Sequence, residues 1–579
     1  MAFARRAAVL LHSALALCAA GAAERPTRPA DTPTEVTVTA PGGRRLSALV
    51  VPGKWVHAFD AGQFLYRGGR KLHFESRGPR RFVQVDGAPA RLAGIVADTA
   101  EGQAALRQAI ADGEKDLTVW CKADKLNALP RLPPGRGFAL AVNNYGRSDG
   151  IHEPAVTTRD ATPVAGQDGI IALSLCWRWD NADLRPLARL EALTSLQVSG
   201  AGQLDLTPLG GLRNLEVLEC KMVGALPPLS RLTRLRHVDI AGASELPVLP
   251  PFGEMRQLSW LALRCPGLKD IAALGKLTGL VRLDLGGCSG IRDLSPLAGL
   301  TKLTCLSLYG CEGVEDLSPL AGLTDLTDLN FGFCSRLTNL SGLENLRKLP
   351  RLELSGCRSL SDIAALGHLT QLTGLTVQWC DELSDLTPLA KLTRLKAISF
   401  WNCPRVADIS PLAALQDLEG LGLWGCPRLA NLKPLAGLAK LRWLRLEACR
   451  AITDIAPLGG LRDLAELSLE ECAEVTDVSP LAKLDKLEEL RMWDCTGVTD
   501  LSPVAACRNL RELDIWGCEN VTDVTPLGRL PKLNRVVVAG CDGVADLSPL
   551  KPVLRRGGSI FVTGDDHEAQ LKALKQPDF

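Results

Sequence analysis

The sequence lacks an excess of charge of either sign, since 66 Lys and Arg residues face 65 Asp and Glu residues in a chain of 579. Without a basic surplus there is no general field to attract a polyanion, which argues against nucleic acid as a partner. Tyrosine is also scarce, with 3 residues against 12 Phe and 11 Trp. The position of each Trp is therefore informative.

Motifs for catalysis and cofactor binding are missing as well. There is no Lys-containing phosphate loop, no strand-led dinucleotide loop and no zinc-protease helix. The acidic cluster around His567 suggests a metal site, but a helix N-terminus enriched in acid explains it better. We predict no catalytic residue, no metal, no cofactor and no enzymatic activity. The seven histidines are predicted to be scattered surface residues: His12, His57, His73, His152, His237, His368 and His567.

Only the N-terminus has a sustained apolar run. Arg5 and Arg6 precede the run at 7–17, and small residues follow at 20–22, which is the order of a secretory signal. We therefore expect residues 1–22 to be removed and the protein to be secreted, periplasmic or at the cell surface. A frayed terminus on a cytosolic protein is the alternative. A lipoprotein box ending at Cys18 would require a small residue in place of Leu17, and no later segment has the length to span a bilayer.

Composition divides the rest of the chain. Pro-rich residues 23–45 are predicted to be a disordered linker. Residues 46–115 form an N-terminal module of unknown type, with strand-like runs at 46–51 and 82–85 and a helix at 99–112. Residues 116–170 are predicted to hold degenerate repeats and a connector. A regular array follows at 171–554, and residues 555–579 are predicted to cap it with a strand at 560–562 and a helix at 566–574.

The array is defined by cysteines at intervals of 23 residues. Each Cys lies in the same local sequence motif, for example Leu-x-x-Leu-x-Leu-x-x-Cys311 followed by Asp316-Leu-Ser318-Pro-Leu. Four less regular units precede the thirteen cysteine-containing units, beginning near Arg178 and Ala201. The array therefore has about seventeen repeats. The column consists of Cys265, Cys288, Cys311, Cys334, Cys357, Cys380, Cys403, Cys426, Cys449, Cys472, Cys495, Cys518 and Cys541.

This repeat motif resembles the leucine-rich-repeat family. Its Asp-Leu-Ser-Pro-Leu half is similar to that of bacterial internalin-type repeats, and the repeat has Cys in place of the usual Asn. The resemblance implies an α/β fold, a right-handed solenoid. A parallel sheet would lie on its concave face and 3-10 or short α segments on its convex face. It also implies recognition of a protein partner through the concave face.

The column cysteines are expected to be buried ladder residues, because their spacing follows the coil and a small apolar thiol suits such a position. Adjacent coils lie close enough for disulfides, so the spacing alone does not exclude disulfide bonds between column cysteines. Metal binding would need several ligands in one coil, and no C-x-x-C motif occurs. Outside the column the pairing is not predictable for Cys121, Cys176, Cys220, Cys305 and Cys507.

Each coil also begins its helical turn with recognisable residues. Ser318 and Ser479 are predicted to cap the turn, and Pro follows at the first helical position, where its missing N–H costs nothing. The Asp residues just before the turn, such as Asp293, Asp316 and Asp385, are predicted to make structural hydrogen bonds rather than to act as paired acid and base.

Large side chains occupy strand positions that should face outward. These are the positions two, four and six residues before each column Cys, since alternate strand residues point to opposite faces. Trp, Tyr and Arg on a rigid surface are typical of interaction hot spots. The alternative is that the rings only pack on one another. The predicted ligand-binding residues are Tyr309, Trp379, Trp401, Trp424, Trp443, Arg445, Glu447, Glu470, Arg491, Trp493 and Trp516, with Phe333, Gln378 and Asp514 nearby.

Three functional hypotheses follow. The first is an exported protein that binds a protein partner on the concave face. The second is glycan binding by stacking on Trp401, Trp424, Trp493 and Trp516. The third is an enzyme whose active site lies in residues 46–115 and whose solenoid directs it to a target. No catalytic nucleophile can be identified in that segment from the sequence.

Overall fold

A computed structural model describes residues 34–39, 45–50, 66–67, 70–77, 79–85, 91–114, 117–143, 161–176, 183–226, 229–243, 247–252 and 255–575. The predicted signal peptide lies outside these ranges. No helix within them is long and apolar enough to cross a bilayer. The chain divides into two compact units, residues 1–120 and 121–579.

The first unit is built mainly of antiparallel strands. β1 (Thr34–Thr39) pairs with β2 (Arg45–Val50), so the linker prediction is wrong for this stretch, where Val36 and Val38 alternate with polar residues. In the described strands β3 to β6, neighbours also pair antiparallel, and β7 runs parallel to β6. Their bounds are β3 Tyr66–Arg67, β4 Arg70–Arg77, β5 Arg80–Val85, β6 Arg91–Val96 and β7 Thr118–Cys121.

The predicted helix at 99–112 is confirmed as α1 (Ala100–Ala111). Thr99 stands at its N-cap and accepts a hydrogen bond from the Gly102 amide at 3.1 Å, which satisfies one of the free first-turn donors. Leu106 and Ala109 bury the inner face of the helix.

The second unit stacks its strands as one parallel sheet, in which each described strand from β8 to β26 pairs with the next. The strands are β8 Phe138–Asn143, β9 Ile170–Cys176, β10 Ser195–Asp205, β11 Val217–Ala225, β12 His237–Ala241, β13 Trp260–Arg264, β14 Arg282–Asp284, β15 Cys305–Ser307, β16 Asp328–Asn330, β17 Arg351–Glu353, β18 Gly374–Gln378, β19 Ala397–Trp401, β20 Gly420–Trp424, β21 Trp443–Arg445, β22 Glu466–Ser468, β23 Glu489–Arg491, β24 Glu512–Asp514, β25 Arg535–Val537 and β26 Ser559–Phe561.

A short helical segment follows most strands and returns the chain to the next coil. The four-residue α2 is Thr162–Ala165 and α3 is Thr525–Gly528, while α4 is Lys551–Arg555 and α5 is Asp565–Leu574. The 3-10 segments are Ala123–Ala128, Arg185–Arg189, Thr207–Gly211, Leu229–Arg231, Ala272–Lys276, Ser295–Leu297, Ser318–Leu320, Ala364–His368, Thr387–Lys391, Ser410–Ala414, Lys433–Leu435, Ala456–Gly460, Ser479–Lys483, Ser502–Ala506 and Ser548–Leu550.

Aspartate, not serine, caps these turns. The Asp316 carboxylate accepts hydrogen bonds from the Ser318 amide at 2.8 Å and from its hydroxyl at 2.7 Å. The same contacts hold the pKa of the exposed Asp293 and Asp477 carboxyls below the ordinary value, mainly through the amide hydrogen bond. The prediction that Ser318 and Ser479 supply the cap is therefore wrong. The structural role predicted for the Asp residues is confirmed.

The column cysteines line the interior of the coils, and their predicted burial is confirmed. All the column thiols except Cys426 point to a main-chain carbonyl of the preceding coil, as Cys472 does to Leu446 O at 2.8 Å and Cys495 to Leu469 O at 2.9 Å. Burial raises the pKa of the Cys403 thiol to about 11. The column thus links successive coils through weak S–H donors.

The end of the array is covered by β26 and α5, which confirms the predicted strand and helix. Two side chains of α5 bond to main-chain groups of the last coil: the His567 ring lies 2.6 Å from Val544 O, and Gln570 Oε1 accepts from the Leu547 amide at 2.9 Å. His567 is therefore a buried structural residue. The described residues include no group of three or more His, Cys, Asp or Glu that could hold a metal.

Candidate ligand-binding surface

The outward side chains of the sheet form three columns, six, four and two residues before each column Cys. Strand pairing aligns them coil by coil, so that Gln378, Trp401 and Trp424 are direct neighbours two residues before their cysteines. Leu375, Val377 and their equivalents alternate with them and are buried. We call the outward side of these strands the concave face.

The residue just before each column Cys, from 287 to 540, has a positive φ angle. Six of these twelve coils place Gly there, for which this conformation carries no steric cost. The others include Phe333 at φ 62° and Trp379 at φ 50°, and a bulky residue in this region costs about 1–2 kcal/mol. Two coils therefore retain an aromatic residue against a local backbone preference.

Both of those rings belong to a continuous aromatic strip. The ring centroids of Tyr309 and Phe333 lie 5.2 Å apart, Phe333 and Trp379 lie 6.0 Å apart, and Trp379 and Trp401 lie 6.0 Å apart. Trp424 follows Trp401 at 4.9 Å in a T-shaped arrangement. The rings pack on one another, as the alternative reading supposed. Tyr309 and Phe333 nevertheless remain 44% and 37% exposed.

Gly356 explains how the strip crosses one coil without a ring. A Cβ atom added to Gly356 would lie 2.6 Å from the Phe333 ring, so the ring occupies the space above this residue. Any larger residue at 356 would displace Phe333 and separate it from Trp379. The strip therefore extends unbroken from Tyr309 to Trp424.

Small residues form a neutral trough beside the strip. In the coils that end at Cys380, Cys403 and Cys426, none of the residues six, four or two before the Cys is charged. The Trp443 ring lies over the backbone of Gly420, where an added Cβ would come within 1.9 Å of it. At the other end of the trough, the Arg351 side chain lies over Gly374, with its Cγ 3.3 Å from the place of an added Cβ. The residues of the floor are Gly374, Thr376, Ala397, Ser399, Gly420 and Gly422.

Beyond Trp443 the face becomes acidic. Glu447 and Glu470 occupy neighbouring places between Trp424 and the second aromatic pair, Trp493 and Trp516, whose centroids lie 6.0 Å apart. Burial raises the pKa of Glu470 to about 7, with a further contribution from the Glu447 charge. Burial also raises the pKa of Glu447, against the attraction of Arg445.

The arginines near this centre have other contacts. Arg491 forms an ion pair with Glu489, and the Arg445 guanidinium carbon lies 6.0 Å from the Trp443 ring centroid. No ion pair joins Glu447 or Glu470 to a described Arg or Lys within 4.0 Å, although nearby charges act on both. The centre of the face thus keeps two partly buried carboxylates without a close cation.

Comparison with known proteins finds similarity only to solved structures. No family profile matches the sequence, and no curated protein matches it. Among solved structures, the internalin InlF of Listeria monocytogenes is 26% identical, over 54% of this chain and 83% of that one, with a TM-score of 0.40. The functional domain of InlJ from the same organism, described as including a cysteine ladder, is 21% identical over 59% and 72%, with a TM-score of 0.42. A leucine-rich-repeat protein of Leptospira interrogans is 17% identical over 64% and 96%, with a TM-score of 0.44.

The coil itself decides the fold: one short parallel strand, one Asp-capped helical turn and one inward Cys recur every 23 residues. The array is a leucine-rich-repeat solenoid. The predicted fold class is confirmed. The less regular first coils also follow the predicted phase, since the aligned residues Ala172, Ser195, Val217, His237, Trp260 and Arg282 step by 23, 22, 20, 23 and 22 residues.

The early coils of the solenoid carry a polar network on the same face. His237 stacks on Trp260 with centroids 3.5 Å apart and lies 3.4 Å from a Glu219 carboxylate oxygen. Arg264 bridges Asp239 at 2.6 Å and Asp284 at 3.0 Å. His237 is 2% exposed, so the prediction that the histidines are surface residues is wrong here and at His567. These groups are already paired with one another, in contrast to the later coils.

The structure gathers the predicted residues into three groups. Tyr309, Trp379, Trp401 and Trp424 lie in the aromatic strip, and Trp443 and Arg445 border the acidic centre. Trp493 packs against Trp516 in a T-shaped arrangement. Sequence reasoning noted Phe333 but left it out of the predicted site. The signal for it was its place before Cys334, where six other coils have Gly. The trough is formed largely by Gly and Ala, and such small residues do not stand out among outward positions in the sequence.

Proposed function

We propose that this protein is exported and binds a protein partner on the concave face of its solenoid. The observation that carries the proposal is the aromatic strip, five rings that form a partly exposed apolar ridge on a rigid sheet. Exposed apolar surface of this kind is typical of interaction sites, and aromatic side chains supply most of the binding energy in such sites. The internalin resemblance supports the same reading, since that family recognises proteins through this face.

Backbone strain is a second argument for function. Gly at 333 or 379 would relieve an unfavourable φ angle, as it does in neighbouring coils. Rings that only filled the core could use the inward Leu positions, where every coil already buries a side chain. Retention of two strained aromatic residues on the outer surface is therefore better explained by a ligand.

The test compares two Trp variants with a variant on the opposite side of the coil. Trp424→Ala and Trp493→Ala should each weaken binding of a partner, captured with residues 146–579 as bait, by about 2 kcal/mol, or roughly thirtyfold in Kd. Lys391→Ala, on the convex side, should change neither binding nor unfolding. If the Trp variants unfold early but bind normally when folded, the rings are structural and the proposal fails.

Glycan recognition is the competing reading, and the same variants separate it. A glycan array that binds the intact protein and loses its signal in Trp424→Ala would assign the strip to a sugar. Binding to a purified protein without attached glycans would assign it to a polypeptide.

A further inference from the structure

The concave face changes character along the solenoid, and this change indicates what kind of partner it fits. In the coils that end at Cys449, Cys472, Cys495 and Cys518, the three outward columns hold six carboxylates and two guanidinium groups. In the three coils before them the same columns hold no charge. Apart from the Arg351 side chain, which lies over Gly374, a neutral surface is thus followed by an acidic one.

Only part of the acidic surface is neutralised within the protein. Glu489 pairs with Arg491, Glu512 pairs with Arg535 at 3.5 Å, and Asp514 accepts a hydrogen bond from the Trp516 amide at 3.2 Å. Among the described residues, no Lys or Arg lies within ion-pair distance of Glu447, Glu466 or Glu470, although the Ser468 hydroxyl lies near Glu447 and Glu470. The unneutralised carboxylates therefore cluster between Trp443 and Trp493.

The polar group at the middle of this cluster is also incompletely bonded. Ser468 is 4% exposed and lies on the strand between those that carry Arg445 and Arg491. Its hydroxyl approaches Glu447 and Glu470 closely enough to favour their charged forms, yet it completes no hydrogen bond with a described residue.

We propose that the partner presents a polypeptide surface in which an apolar segment is followed by lysine or arginine side chains, the first on the neutral trough and the second on the Glu447–Glu470 centre. This inference rests on the proposed function and specifies the class of partner. Trp424 and Trp493 flank the centre. A cation bound there would interact with the face of an aromatic ring and would also form a charge-assisted hydrogen bond with a carboxylate.

The two parts of the surface have different tasks in this scheme. The trough and strip supply apolar contact area, which determines how long the complex persists. The carboxylates select the sign of charge and set the register of the segment, because complementary charge contributes mainly to specificity and association rate. A segment whose basic residues are spread along its length would place some of them on the neutral trough.

The experiment uses the full chain and three fluorescent twelve-residue peptides. One has six apolar residues followed by six lysines, one has the same twelve residues with apolar residues and lysines in alternation, and one has glutamate in place of lysine. Binding is measured by anisotropy at low salt and at 0.5 M NaCl. The first peptide should bind at least about tenfold more tightly than either of the others, and salt should weaken it.

Glu447→Gln/Glu470→Gln should remove that preference, with a loss of about tenfold in affinity. The control, Asp463→Asn/Asp485→Asn, removes the same two charges from the return segments of the coils, where Asp463 pairs with Lys486, and should bind like the unaltered protein. Both variants should keep the far-UV circular dichroism of the parent.

Equal binding of the three peptides, absence of binding by all of them, or an equal loss in the control variant would each overturn the inference. The proposed function is judged separately. If a captured partner depends on Trp424 and Trp493 but is indifferent to the Glu variant and to salt, the concave face binds a protein of another class.

Discussion

Trp379 offers the sharpest separation of stability from binding, because its backbone and its ring have opposite effects. At φ 50°, Gly is free of the steric cost of about 1 kcal/mol that any other residue bears, while Gly loses about 0.5–1 kcal/mol through the entropy of the unfolded chain. Removal of the ring also ends its contacts with Phe333 and Trp401, each worth about 0.5–1.5 kcal/mol. Trp379→Gly should therefore lower the free energy of unfolding by about 0.5–3 kcal/mol.

The matched variant is Trp379→Ala, which loses the same ring but keeps a Cβ at positive φ. At ordinary positions Ala is more stable than Gly by about 0.5–1 kcal/mol. Here the Gly variant should be at least as stable as the Ala variant, and both should lose about 2 kcal/mol of partner binding. Ala448 has φ 54° in its own coil, so the Ala variant is compatible with the fold.

Urea denaturation followed by circular dichroism gives the order of stability, and titration with the captured partner gives the affinities. An Ala variant clearly more stable than the Gly variant would show that the backbone at 379 is unstrained. Undiminished binding in both variants would remove Trp379 from the binding surface.

Three further predictions follow from the same features. The mature protein should begin near Ala23, and N-terminal sequencing of the exported fraction would contradict this if it found Met1. The column thiols from Cys288 to Cys541 should resist alkylation in the folded protein because they are buried. Burial raises the pKa to about 12 for Cys288 and about 11 for Cys541, whereas the hydrogen bond with Cys426 lowers the pKa of Cys449. Rapid labelling of most of the column would disprove the prediction. Since the pKa of Glu470 is raised to about 7 from 4.5, the folded state holds its proton longer than the unfolded state. Stability should therefore fall as pH rises between those values, by about 1–2 kcal/mol after allowance for partial exposure, and Glu470→Gln should flatten that slope.

The regular coils could be predicted in detail because every coil repeats the same solution. Three features define the coil: the 23-residue spacing of the cysteines, Leu-x-Leu in the strand and Pro at the first position of the helical turn. Together they allow one arrangement, in which neighbouring coils cover the apolar face of each coil. Prediction failed where single residues depart from a rule of thumb. Thr34–Thr39 pairs as a strand inside a Pro-rich stretch, and Asp316 performs the capping that a Ser-Pro pair suggests for serine.

The candidate surface was only half visible in the sequence for a related reason. Alternation along a strand identifies outward positions such as Trp401 and Glu447, but it says nothing about the turn residue that follows. Phe333 and Trp379 reach the surface from that turn, and the Phe333 ring crosses Gly356 to continue the strip. Such a contact depends on a ring lying over the next coil, which no local pattern encodes.

The solenoid supplies its own controls for the functional argument, because neighbouring coils share one backbone. Across the twelve coils with positive φ before the Cys, the tolerated residues are Gly or the smaller Asn, Ala, Glu and Asp, except at Phe333 and Trp379. A general need to fill space would place rings at this position throughout the array. The two exceptions instead stand where their rings join Tyr309 to Trp401. A shared backbone that admits strained aromatic residues only within the strip indicates that the strip, rather than the stability of any coil, accounts for them.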